Sequence, residues 1–233
     1  YAAFDAKSDL KTLKFNRRMV GDSDVHIEIE YSGVCHSDLH FARGDWGDIA
    51  YPVVTGHEIV GRVKNIGSKV LNYKVGDLVG VGCMVDSCQT CSACDENLEQ
   101  YCLNGMTMTY GSEDKHLGGF TQGGYSKDIV VDEKFVLSVS EKLDIKAVAP
   151  LLCAGITTYS PLKKGIKKGD KVAIAGFGGL GHMGIKFAKA MGAEVTVITT
   201  SESKGDDAKK LGADFILLSK NEDNINNNSG KFD

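Results

Sequence analysis

Between residues 20 and 34, apolar and polar positions alternate. Val25, Ile27, Ile29 and Tyr31 fall on one side, and His26, Glu28 and Glu30 on the other. A period of two is the mark of a half-buried strand, and it leaves His26 on the solvated face. Shorter strand-like runs follow at 59–63, 77–81, 127–131 and 134–139, with glycines at 44, 47, 56, 61, 67, 76, 80 and 82 among the earlier ones. Such punctuation predicts a mainly antiparallel β region carrying loops.

Beyond Pro161 the rhythm changes. Residues 171–175 form a short apolar strand, a glycine-rich turn follows, and a helix is predicted from about Leu180 to Met191. Residues 194–199 read as a second strand, 203–211 as a second helix and 214–218 as a third strand, before a polar loop at 224–229. Strands and helices in alternation argue for a parallel sheet. The pattern divides the chain into a mainly β part, 1–148, and a parallel α/β part, 149–233. Three parallel strands are half of a doubly wound sheet, so the chain is expected to be a piece of a longer protein.

Composition narrows the function. With 233 residues, 42% of them hydrophobic, there is material for two cores. A net charge of -4 gives no footprint for nucleic acid or an anionic membrane. Apolar runs such as 171–176 are too short to span a bilayer. Seven cysteines, an odd number, without a secretory signal suggest a cytoplasmic, reducing setting and metal ligation.

Four of those cysteines are Cys88, Cys91, Cys94 and Cys102, within the stretch CQTCSACDENLEQYC. Thiolates at this spacing can converge on one tetrahedral ion, and an all-sulfur site favours zinc. Such a site is closed to water and therefore structural. The competing reading is a pair of disulfides, which the adjacent two-residue spacings suit less well.

Gly176-Phe177-Gly178-Gly179-Leu180-Gly181 follows a predicted strand and opens a predicted helix. Glycines there permit a tight turn and let backbone N–H groups approach a pyrophosphate at the helix N-terminus. The alternative is a glycine-rich turn with no ligand. A carboxylate closing the second strand would bind a ribose 2′-OH and favour NAD. The strand closes instead on Thr199, Thr200 and Ser201, with Lys204 shortly after. Hydroxyls and a lysine suit a 2′-phosphate, so NADP is expected. Glu202 could overturn that, and Lys204 could be an ordinary solvated lysine.

Three cysteines remain: Cys35, Cys83 and Cys153. An open zinc site needs about three protein ligands and one exchangeable position. Cys35, His57 and Cys153 could supply them, but spacing alone cannot bring them together, and a lone cysteine is more often a small buried hydrophobe. The segments GVCHSDLH, YPVVTGHEIVGRV, TQGGYS, LLCAGITTYSPLK and GFGGLGHMGIKFAKAMGAEVTV, with the four-cysteine run, occur in one order. Over residues 1–219 the chain resembles the medium-chain zinc alcohol dehydrogenases, in their NADP-preferring, cinnamyl-alcohol-dehydrogenase-like branch.

That resemblance implies a mainly β GroES-like catalytic domain followed by the first half of a Rossmann-type α/β domain. It implies Cys35, His57 and Cys153 as ligands of a catalytic zinc, with Glu58 able to approach the metal. Ser37 and His40 would form a proton relay, with Asp38 orienting His57. Thr157, together with Thr199, Thr200, Ser201 and Lys204, would contact NADP(H). Trp46 and Thr107 would shape the substrate pocket, and Cys83, matching no ligand position, is assigned to the core. Read without the resemblance, His40 is a solvated histidine and Asp38 a helix cap. Family chains commonly carry Pro where Thr55 stands, a loop detail. The implied activity is hydride transfer between NADP(H) and a primary alcohol or aldehyde, with two zinc ions per chain and a homodimer at full length. A non-catalytic zinc- and nucleotide-binding fragment is the alternative, and the isolated chain is expected to turn over little substrate.

Overall fold

The structure is a computed structural model describing residues 1–233, and it divides into two compact units, Tyr1–Cys153 and Ala154–Asp233. In chain order the first carries β1 (Asp24–Ser32), α1 (His36–Arg43), β2 (Ile59–Ile66), β3 (Leu78–Val81) and β4 (Met84–Asp86). It continues with α2 (Ser92–Asp95), β5 (Thr107–Met108), β6 (Asp128–Asp132), β7 (Leu137–Ser138) and α3 (Ile145–Val148), which runs into a 3₁₀ turn at Ala149–Leu152. The second carries α4 (Ala154–Gly165), β8 (Lys171–Ala175), α5 (Gly179–Ala190), β9 (Glu194–Thr199), α6 (Glu202–Lys210), β10 (Phe215–Leu218) and α7 (Glu222–Asn227).

The alternation in β1 does what its period demands. β1 pairs antiparallel with β2 on one side and β6 on the other, in a five-stranded sheet of order β6-β1-β2-β3-β7. Val25 and Ile27 pack with Ile59, Val79, Val81 and Val131, all fully buried. Each such side chain contributes about 1.5–3 kcal/mol of burial free energy. His26 keeps to the other face, 3.7 Å from Asp128.

In the second unit β8, β9 and β10 are parallel, in the order β10-β9-β8. β9 is central, and its Val195 and Val197 are fully buried against Ile185 of α5 and Ala208 of α6. No helix in the chain is long and apolar enough to cross a membrane.

Three expectations change. The predicted strand at 134–139 is a 3₁₀ turn, Glu133–Phe135, followed by the two-residue β7. The Asp132 carboxylate accepts from Lys134 N at 2.9 Å and turns the chain there. The expected polar loop at 224–229 is largely α7, started by Asn221, whose side chain accepts from Asn224 N at 3.1 Å. Helices α1 and α4 have no counterpart in the periodicity analysis. α4 contains Pro161, which removes one bond of the helical ladder.

Candidate metal centres and nucleotide turn

Cys35 stands between β1 and α1 and caps that helix. Its Sγ accepts from Ser37 N at 3.5 Å, and the Asp38 carboxylate accepts in return from Cys35 N at 3.0 Å. This reciprocal cap is the local reason α1 begins at His36, although cysteine is no common cap. Asp38 is buried and reaches further. Its Oδ1 accepts from Gly56 N at 2.9 Å and lies 2.9 Å from His57 Nδ1, while Oδ2 accepts from Tyr125 Oη at 2.8 Å.

With Nδ1 committed to a carboxylate that can only accept, His57 offers Nε2 outward. Cys35, His57, Glu58 and Cys153 each present one donor atom, and all four atoms lie within 4.8 Å of one another. The Cys35 and Cys153 sulfurs are 3.9 Å apart. Two sulfurs ~2.3 Å from a tetrahedral zinc stand about 3.8 Å apart, so the donor set and spacing fit zinc. In the metal-free protein burial disfavours the His57 imidazolium, but Asp38 and Cys153 outweigh it and hold the group up to about 10. Burial, reinforced by the Asp38 charge, pushes Tyr110 and Tyr125 up, so both keep their protons. The Tyr110 hydroxyl lies 3.3 Å from His57 Nδ1.

The second thiol group is self-contained. Cys88, Cys91, Cys94 and Cys102 hang from the lobe between β4 and β5, with Cys91 starting α2. Sulfur separations of 3.5 Å for Cys91–Cys94, and 4.0 Å for Cys88–Cys94 and Cys91–Cys102, bracket the same tetrahedral edge. All seven cysteines are free thiols, so the disulfide reading falls. Backbone donation from Thr90, then the Asn104 side chain, holds the Cys88 thiol down to about 5.

Around the first centre the implied residues fall into place unevenly. Ser37 and His40 share a face of α1, three residues apart, but no hydrogen bond joins them. His40 Nδ1 instead lies 2.7 Å from Asp45 Oδ2, and its ring packs on Trp46 with centroids 5.5 Å apart. Asp45, Tyr110 and Tyr125 were not singled out by the sequence reading. The GGYS glycines beside Tyr125 were the one available signal. Cys83 is corrected: it is half-buried, not in the core, and as a neighbouring thiol it helps push that of Cys153 up to about 12. Thr107 is buried in β5, in register with Asp86.

In the second unit the glycine turn joins β8 to α5. Gly176 has φ +88, and a Cβ on Gly181 would collide with the Gly176 carbonyl oxygen. Gly178 and Gly179 face open space, and Gly178 caps α5 without a side-chain bond, leaving the first-turn N–H groups for a ligand. The turn thus fits a dinucleotide pyrophosphate. Phe177 packs on the unit's core, and Leu180 and Thr157 are exposed. At the end of β9, Thr199 is buried and Thr200 exposed. Ser201 Oγ caps α6, accepting from Lys204 N at 3.3 Å.

Residues 21–141 match the family model of the alcohol dehydrogenase GroES-like domain, and residues 179–229 match that of the zinc-binding dehydrogenases. The chain belongs to the zinc-binding alcohol dehydrogenase family. Among curated family members, aldehyde reductase YahK of Escherichia coli (strain K12) is 53% identical over 233 residues, covering 99% of this chain and 66% of that protein. The solved structure of a cinnamyl alcohol dehydrogenase from Sorghum bicolor superposes with a TM-score of 0.95 at 44% identity, covering 100% of this chain and 67% of that one. A cinnamyl alcohol dehydrogenase from Helicobacter pylori, complexed with NADP(H), gives 0.88 at 48% identity, with coverages of 92% and 62%. The chain therefore spans about two thirds of the length of the family members it matches.

Proposed function

We propose that this chain carries the metal- and cofactor-binding machinery of a zinc-dependent oxidoreductase that moves hydride between NADP(H) and a primary alcohol or aldehyde. The observation that carries the reading is the convergence of Cys35, His57, Glu58 and Cys153, with Asp38 behind His57. When bound, zinc supplies a Lewis acid for a substrate oxygen and the nicotinamide supplies the hydride chemistry.

The chain's own residues do the rest. Two thiolates and a neutral imidazole offset the charge of the ion they hold. Asp38 keeps the proton on Nδ1 of His57 and so keeps Nε2 free to ligate. Ser37 and His40, on one face of α1, are the relay positions for the alcohol proton, with Asp45 holding the His40 ring through Nδ1. Thr200, Ser201 and Lys204 favour a 2′-phosphate, and Trp46 forms a wall of the substrate site. The names of the similar proteins support small alcohols and aldehydes as the substrate class.

Reduction of cinnamaldehyde and benzaldehyde, assayed in a form extended to the length of its relatives, tests the reading. NADPH-dependent turnover abolished by His57→Ala is expected. Unchanged turnover in that variant would overturn it.

A further inference from the structure

We propose that Gly33 is a positioning residue that keeps the Glu58 carboxylate in reach of the Cys35–His57–Cys153 centre. The inference rests on the zinc reading above and assigns that site a residue it lacked. Gly33 directly follows β1, and its N–H donates to the Glu58 carbonyl at 2.9 Å, so the two segments run side by side. Its φ lies outside the left-handed region, so backbone conformation does not demand glycine there. The neighbour demands it. A Cβ on Gly33 would fall on Oε2 of Glu58, and would stand 3.0 Å from its Cβ and 3.1 Å from its Cδ.

The Glu58 carboxylate therefore lies across the bare α-carbon of Gly33. The same side chain is buried and supplies one of the four converging donor atoms. The slot and the donor position are thus set by one conformation. Other tightly packed glycines behave differently: at Gly61 in β2 and Gly67 just after it the nearest atoms are backbone carbonyls, so a methyl group there would push main chain apart. At Gly33 the nearest atom is the end of one side chain. A methyl group would displace that carboxylate from the conformation in which its oxygen converges with the other three donor atoms. Glu58 then no longer supplies an oxygen when another ligand leaves the metal, and the ion escapes faster.

The test is zinc release from the zinc-loaded full chain into a chromophoric chelator, with the four-cysteine zinc as internal reference. Four proteins are compared: the unmodified chain, Gly33→Ala, Glu58→Ala and the double variant. Gly33→Ala and Glu58→Ala are each expected to speed the loss of one zinc about tenfold, the scale of residues that support metal ligands. The second zinc should leave at its usual rate. The double variant, freed of every clash but the 3.0 Å contact with Cβ, should release zinc no faster than Glu58→Ala. Unchanged release in Gly33→Ala would overturn the proposal. So would an effect that adds in full on top of Glu58→Ala, because it would mark general damage. A chain holding a single zinc before any substitution would instead overturn the three-ligand reading itself.

Discussion

The Asp38 carboxylate lies 2.9 Å from Nδ1 of His57 and also accepts from the backbone N–H of Cys35 at 3.0 Å. One buried side chain thus fixes two of the converging ligands. Asp38→Asn keeps the shape but replaces an acceptor oxygen with an NH₂ facing donors. Zinc affinity at the three-ligand centre should fall 10–100-fold, the usual cost of losing such a partner. Competition against a chelator measures it, and an unchanged affinity would remove Asp38 from the account.

The pH dependence of the metal-free chain has a definite sign. Burial works against His57 protonation, but Asp38 and Cys153 raise the group from 6.5 to about 10. A raised folded-state value stabilises the fold fully below 6.5, and that contribution is lost as pH climbs toward 10. The melting temperature of the metal-free chain should therefore decline across this window, and His57→Gln should lack that decline. The zinc-loaded chain should gain affinity over the lower part of the range, because the ion needs deprotonated ligands. Parallel curves for the two forms would contradict the assignment.

The two centres should fail differently. Cys91→Ser breaks a closed site whose binding energy is folding energy, so a loss of ~3 kcal/mol or more and a drop of about 6–12 °C in melting temperature are expected. Cys35→Ser opens a site that is already open and should shift melting much less. Calorimetry on both variants separates them, and an unshifted Cys91→Ser would end the structural-zinc reading.

Much of this was legible in the sequence, for physical reasons that differ by region. The α/β half follows from hydrophobic runs long enough to show their period, and β8 and β9 have the bounds the pattern predicts. The four-cysteine lobe follows from spacing alone. The three-ligand centre does not, because Cys35, His57 and Cys153 are brought together by a sheet whose register no local pattern states. Only the resemblance pointed to them. Helix α1 leaves only a partial trace, Asp38 as a helix cap, because its N-cap is a cysteine side chain. Helix α7 escaped because its asparagines read as loop, although Asn221 is a good cap. The role of Asp45 is tertiary and leaves no mark in sequence, and that of Tyr125 leaves only the two glycines before it.

Cofactor choice should rest on Lys204. A charge-assisted hydrogen bond to a 2′-phosphate is worth about 1.5–3 kcal/mol, so Lys204→Ala should weaken NADP⁺ binding about tenfold or more. NAD⁺ binding should not change. Calorimetric titration of both cofactors decides it, and equal losses would show that Lys204 reads no phosphate.

Zinc content tests the central claim most directly. Metal analysis of the reduced, purified chain should give two zinc ions, one for each converging donor set. His57→Ala should keep one, with its melting temperature largely preserved by the four-cysteine site. A single zinc in the unmodified chain, or two retained in His57→Ala, would contradict the account.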